Sequence, residues 1–175
     1  KLDAEYGLRA LAADSSLEVV VIRPPLVYGP DAPGNFARLA AMLRLGLPLP
    51  LGSVRNMRSF VAIANLVSFI QCCMTHPAAA NPAFLVSDGH DLSTPELIRH
   101  MSAAMHQPVR LQSVPTALLR WSAACFGKQA ILQQLTGSLQ ADINKARTLL
   151  GWDPPQTIEA ALAQALTPNT TPPMS

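Results

Sequence analysis

The chain has 175 residues, 49% of them hydrophobic and only 14% charged, with 13 Lys and Arg against 11 Asp and Glu for a net charge of +2. That length supports one or two domains with a real core, and a charged share below the roughly 25% usual for soluble domains points to surface that something else covers. The near-neutral balance, with no basic run interleaved with aromatics, speaks against a nucleic-acid partner, and every apolar stretch is interrupted before the ~18 residues that a membrane-spanning helix needs.

Leu2, Tyr6, Leu8, Leu11 and Ala12 recur at helical spacing, so a helix is expected over 1–13, stopped by Asp14-Ser15-Ser16. No cap, initiator Met or signal peptide precedes it, and the opening reads as a helix already under way in a fragment. The run from Leu17 to Ile22, with Val19, Val20, Val21 and Ile22 in succession, predicts a central parallel strand covered on both faces. Pro24-Pro25 end its ladder. The loop that follows, with Tyr28, Gly29, Pro30, Asp31, Pro33 and Gly34, lies where α/β sheets bind ligands.

Asn35 is expected to cap a helix through about residue 45, carrying Phe36 and Leu39 inward and closed by Gly46. Alternating Leu and Pro from Leu47 to Leu51 predict an extended edge segment. A polar connection with Arg55 and Arg58 leads to a short strand over 60–63, and Asn65 reads as the cap of an apolar helix to about Met74. A strand follows over 83–87, turned by Asp88-Gly89. Ser93 with Glu96 three residues on, and Pro95 in the first turn, form a capping box for a helix to Met105. Residues 109–114 alternate like a half-exposed strand. Helices are expected over 115–126, 128–135 and 142–150, the last capped by Asp142 and ended by Gly151, and from the cap Thr157 to Leu166; the Pro- and Thr-rich tail 167–175 reads as disordered.

No zinc spacing, phosphate-cradling glycine loop or nucleophile elbow is present. The four histidines are scattered, and Cys72, Cys73 and Cys125 fit neither a metal spacing nor a disulfide framework, which suits a cytoplasmic protein. The chain therefore holds no complete catalytic constellation of its own.

Four segments, in order, carry a resemblance. The opening Lys1-Leu2-Asp3-Ala4-Glu5 is similar to the stretch that begins at the lysine of the Tyr-x-x-x-Lys motif in extended short-chain dehydrogenases. Arg23-Pro24-Pro25-Leu26-Val27-Tyr28-Gly29-Pro30 resembles the family's loop after a late strand. Val54 to Ile63, centred on Arg58-Ser59-Phe60-Val61, is similar to the Arg-Asp-Tyr-Ile-His-Val segment of nucleotide-sugar epimerases and dehydratases. Asp142-Ile143-Asn144-Lys145-Ala146 with Leu149-Leu150-Gly151-Trp152-Asp153-Pro154 resembles their C-terminal signature.

The resemblance implies an α/β fold: the C-terminal part of an NAD(P)-binding, Rossmann-like extended short-chain dehydrogenase/reductase with a small α/β substrate lobe. Residues 1–30 would close the Rossmann-like domain and 31–166 would form mainly the substrate lobe. Lys1 would be the catalytic lysine that binds the nicotinamide ribose and lowers the pKa of an upstream tyrosine. Pro24 and Pro25 would lie against the nicotinamide. Leu26, where epimerases carry Asn, would face the substrate, and Asn35 with Phe36 would meet the pyrophosphate. Leu49 and Leu51 would flank a uracil, and Arg58 would hold the diphosphate with its guanidinium fork. Arg55 lacks the same match. A second phosphate-binding arginine, frequent in the family, is missing from Gln133 to Ser138, with Thr136 or Ser138 as neutral stand-ins.

The implied activity is NAD-dependent 4-epimerisation of a UDP-hexose, UDP-glucose 4-epimerase-like, in a cytoplasmic homodimer serving surface-polysaccharide (lipopolysaccharide) synthesis. NADP is the other possible cofactor. The alternatives are a UDP-4-keto-sugar reductase and a non-catalytic nucleotide-sugar-binding module. A steroid or flavonoid reductase fits poorly, since Arg58 and Asn35 would have no anion to bind.

Overall fold

A computed structural model describes residues 2–125 and 127–167. Helix α1 (Leu2–Ala13) buries no residue. It is held to the end of strand β1 (Val21–Arg23) by Arg23, whose guanidinium donates to both carboxylate oxygens of Glu5 at 2.8 and 2.7 Å. That pairing holds the Glu5 carboxyl below its ordinary value, chiefly through the Arg23 hydrogen bond.

The predicted strand over 17–22 forms in part only. Leu17 is exposed, Val19 to Ile22 are half-buried, and only Val21–Arg23 pairs, in parallel, with β4 (Ala83–Leu85). The prolines end β1 as expected, but the chain resumes at once as β2 (Leu26–Tyr28), which runs parallel to β3 (Phe60–Ala62). The segment expected as a loop is thus a strand through Tyr28.

Asn35 is likewise the first residue of α2 (Asn35–Arg44), not its cap. Gly34, at φ 83, takes the cap position with no side-chain bond, because its left-handed backbone suits glycine. Helix α3 (Ile63–Thr75) follows β3 directly, which leaves Asn65 inside the first turn and fully buried. A short 3-10 turn over Pro77–Ala79 precedes β4. The capping box at Ser93 and Glu96 forms at the start of α4 (Thr94–Ala104). Helices α5 (Thr116–Cys125) and α6 (Gln129–Thr136) make a hairpin. Next comes α7 (Asn144–Leu150), where Asp142 accepts from the Asn144 N–H at 2.8 Å, then α8 (Ile158–Leu166) with its Thr157 cap.

Two cores result. Phe36, Leu39, Leu43, Ile98, Met101 and Leu162 join α2, α4 and α8 around Tyr28. Val61, Phe69, Phe84, Val86, Ala146 and Trp152 join α3 and α7 to the β1–β4 pair. Residues on both sides of the expected boundary at 30/31 thus share a core. In the second, Trp152 stands edge-on to Phe69 at 4.8 Å and donates its indole N–H to Ser68 at 3.2 Å. The expected strand over 109–114 is reduced to a bridge between Leu111 and Leu49.

Candidate functional site

The residues that start β2 and α2 and precede β3 converge on one cleft. Leu26, Asn35, Phe36 and Arg58 line it, with Thr94 and Gln134. Four of the expected substrate residues, drawn from segments far apart in sequence, thus meet because the β2–β3 pairing sets Leu26 opposite Phe60, two residues after Arg58. Phe36 is buried against Tyr28, with ring centroids 5.6 Å apart.

Arg58 is fixed at both ends. Its backbone exchanges hydrogen bonds with Leu92 at 3.0 and 2.9 Å, and its Nη1 donates to the carbonyl of Gln134. The Nε atom is buried without any hydrogen-bond partner, and no carboxylate pairs with this arginine among the described residues. A half-buried guanidinium with an unused donor is chemically suited to receive an anion. Asn35 donates through Nδ2 to Gln134 Oε1 at 2.8 Å. The free volume of the cleft is only about 30 Å³, so Gln134 closes it. Helix α6, which carries Gln134, buries no residue outright, and its Leu132 and Leu135 pack against the core.

Sequence reasoning missed Gln134 and Asn56. It pointed instead to Thr136, which is bonded back to Leu132 at 2.9 Å, and Ser138, which accepts from Met57 at 3.2 Å. Asn56 is buried. It donates to Thr94 Oγ1 at 3.1 Å and to the carbonyls of Leu135 and Gly137 at 3.2 and 3.1 Å, tying α4 and α6 to the segment that carries Arg58. No pattern marks a polar residue whose partners lie 38 to 81 positions on.

Leu49 and Leu51 are buried beside the cleft, not in it. The backbone groups of Leu49 are already taken, the N–H by Arg110 at 2.9 Å and the carbonyl by Gln112 at 2.9 Å. That residue therefore offers a ligand its side chain and no free backbone edge. Pro24 is exposed and Pro25 half-buried at the carboxyl end of β1, and neither lines the cleft. Lys1 lies outside the described residues, as does the tail 168–175.

Below β2 and β3, Asp88 binds three donors: the Tyr28 hydroxyl at 2.8 Å, the Ala62 N–H at 2.9 Å and Asn65 Nδ2 at 2.7 Å. Burial, and then the Asp88 charge, push the Tyr28 hydroxyl far above the ordinary tyrosine value. Tyr28 is thus a neutral structural donor. Among the described residues, no group of acidic, His and Cys residues suits a metal ion, and no helix is long and apolar enough to cross a membrane.

No family model matches the chain. It is 48% identical over 165 residues to the UDP-glucose 4-epimerase of Vibrio cholerae, a match that covers 94% of this chain and 50% of that protein. Its fold superposes on the UDP-glucuronic acid 4-epimerase of Bacillus cereus bound to NAD (TM-score 0.69, 18% identity, 95% of this chain and 48% of that one). It also superposes on the UDP-glucose 4-epimerase of Bifidobacterium longum bound to NAD+ and UDP (TM-score 0.66, 19% identity, 95% and 52%). These matches agree with the resemblance to the extended short-chain dehydrogenase/reductase family. Within it the similarity is to the nucleotide-sugar epimerases and dehydratases, and the chain spans about half the length of the curated relatives it matches.

Proposed function

We propose that the chain is the C-terminal, substrate-binding half of an NAD-dependent 4-epimerase acting on a UDP-hexose. The observation that carries this reading is Arg58, with its unpartnered buried Nε in the cleft that also holds Leu26 and Asn35. The 48% identity to a UDP-glucose 4-epimerase supports it. Arg58 would hold the diphosphate through its fork, Asn35 would donate from the first turn of α2, and Phe36 would wall the cleft from below. Entry of the diphosphate would draw Gln134 and α6 off Arg58, replacing a neutral carbonyl by a charged partner. Leu49 and Leu51 would supply apolar contact to the base.

The dinucleotide, NAD or NADP, would supply hydride exchange at the sugar. The described residues give it no more than Pro24 and Pro25, and the lysine role of Lys1 belongs to the same proposal. This stretch has neither a Tyr-x-x-x motif nor a glycine-rich loop, so alone it is expected to transfer no hydride. The reading includes a cytoplasmic homodimer in surface-polysaccharide synthesis, with residues 1–30 closing the cofactor domain and 31–166 forming the substrate lobe.

Calorimetric titration of the full-length protein with UDP tests it. A hydrogen bond to a charged group contributes about 1.5–3 kcal/mol, so Arg58→Ala is expected to weaken UDP roughly tenfold to 150-fold. Unchanged UDP affinity in that variant would remove Arg58 from the site.

A further inference from the structure

The net charge of +2 conceals an uneven distribution. Segments 35–59 and 109–136 build α2, the extended run after it, α5 and α6. Besides Arg58 they contain Arg38, Arg44, Arg55, Arg110, Arg120 and Lys128, and not one Asp or Glu. Arg38, Arg44, Arg55, Arg110, Arg120 and Lys128 are all exposed, and neither they nor Arg58 form an ion pair among the described residues.

The same segments expose large apolar side chains: Met42 at 42%, Leu45 at 72%, Leu47 at 46%, Leu118 at 53% and Trp121 at 67%. Between α2, residues 49–51 and the α5–α6 hairpin lies an open hollow of about 300 Å³, with apolar walls from Met42, Leu49, Pro50, Leu119 and Ile131 and with Lys128 as its charged member. The hairpin itself is thinly packed, since Leu119 is the one buried residue of α5 and α6 buries none.

Cations without internal partners, mixed with exposed aliphatic groups and a tryptophan, match one class of surface. Tryptophan settles at the headgroup level of a bilayer, aliphatic side chains enter the acyl boundary, and Lys and Arg are drawn to anionic lipid. Nucleic acid would use the cations but gain nothing from Met42, Leu45, Leu47 and Leu118. A second copy placed face to face would set these cations against their own equivalents.

We propose that the surface formed by the C-terminal end of α2, residues 45–50 and the α5–α6 hairpin docks on a membrane surface rich in anionic lipid. Leu118, Trp121 and Met42 enter the headgroup boundary, and Arg120 and Lys128 meet lipid phosphates. No helix among the described residues spans a bilayer, so the attachment is peripheral. This inference goes beyond the nucleotide-sugar reading and does not depend on it.

The test is co-sedimentation of the full-length protein with vesicles of phosphatidylcholine alone, and with about a third phosphatidylglycerol, at low and high salt. Anionic vesicles are expected to bind at least ~10-fold more tightly, with the advantage lost at high salt. The double variant Arg120→Glu, Lys128→Glu and the single variant Trp121→Ser are each expected to lose roughly tenfold or more of that binding. Both should keep the thermal midpoint and the UDP affinity of the parent. Equal binding to both vesicle types, no binding, or indifference to both variants would overturn the proposal. So would self-association abolished by the charge reversal, which would assign the face to a second copy. UDP titration in parallel reads the Arg58 cleft, so either reading can fail while the other stands.

Discussion

Replacing Asp88 by alanine withdraws one acceptor from three buried donors at once. The Tyr28 hydroxyl at 2.8 Å and the Ala62 N–H at 2.9 Å lose the partner the structure gives them, while Asn65 Nδ2 keeps its bond to the Gln156 carbonyl at 3.0 Å. Leaving a buried donor unsatisfied costs about 1–3 kcal/mol. Two such donors give a loss of about 2–6 kcal/mol, a large share of the ~5–15 kcal/mol that holds a domain folded. Because β2 and β3 both hang on this carboxylate, the loss falls on the pairing that aligns Leu26 with Phe60. Urea unfolding followed by far-UV circular dichroism measures it, with Tyr28→Phe alongside. That milder change leaves two of the three donors on Asp88, so it should cost about 1–2 kcal/mol. In a double-mutant cycle with Asp88→Asn, the pair should show a coupling of at least about 0.5 kcal/mol. A cost below about 1 kcal/mol for Asp88→Ala, or zero coupling, would refute the role given to this hub.

Gly52→Ala would place a Cβ 2.9 Å from the Gln112 carbonyl oxygen. Backbone lies on both sides, so a loss of about 1–3 kcal/mol is expected, with faster hydrogen exchange at the Leu49 and Gln112 amides. Ser93→Ala removes the capping box of α4 and should cost about 1 kcal/mol in a thermal melt, more than an exposed Ser→Ala elsewhere. The raised Tyr28 value gives a pH dependence with a definite sign. Above the ordinary tyrosine value of 10.0 the unfolded chain loses that proton while the folded chain keeps it. Stability is therefore fully present below pH 10.0 and falls as pH rises further, at about 1.4 kcal/mol per pH unit from this group. Tyr28→Phe should abolish that component in denaturant titrations at rising pH.

Local signals were read well where the partners are local. The Ser93–Glu96 box and the Thr157 cap stand within four residues of what they bind, and both form as expected. Apart from Asn35, displaced as a cap by its neighbour Gly34, the misreadings share a physical cause, which is distance along the chain. After Pro24-Pro25 nothing nearby announces β2, because its ladder partner begins at Phe60. Asn65 looks like a cap until Gln156 arrives from 91 residues away, and nothing beside Asp88 announces its bond to Tyr28, 60 residues off. In the cleft, the family resemblance singled out Arg58, Asn35 and Leu26, which the fold brings together. Gln134 was invisible for a plain reason: a glutamine in a helix is usually solvated, and its role comes from where α6 lies.

Both pairs of parallel strands are closed by long crossovers, and that has a consequence during synthesis. Val21 cannot meet Ala83 until another 62 residues have been made, which at ribosomal speeds takes roughly 3–12 s. For that interval Val19, Val20, Val21 and Ile22 form an apolar segment of high strand propensity with no ladder to join. Slow codons between residues 24 and 82 would lengthen the wait, and fast ones would shorten it. The yield of soluble protein should therefore follow translation speed across that stretch more closely than anywhere else in the chain.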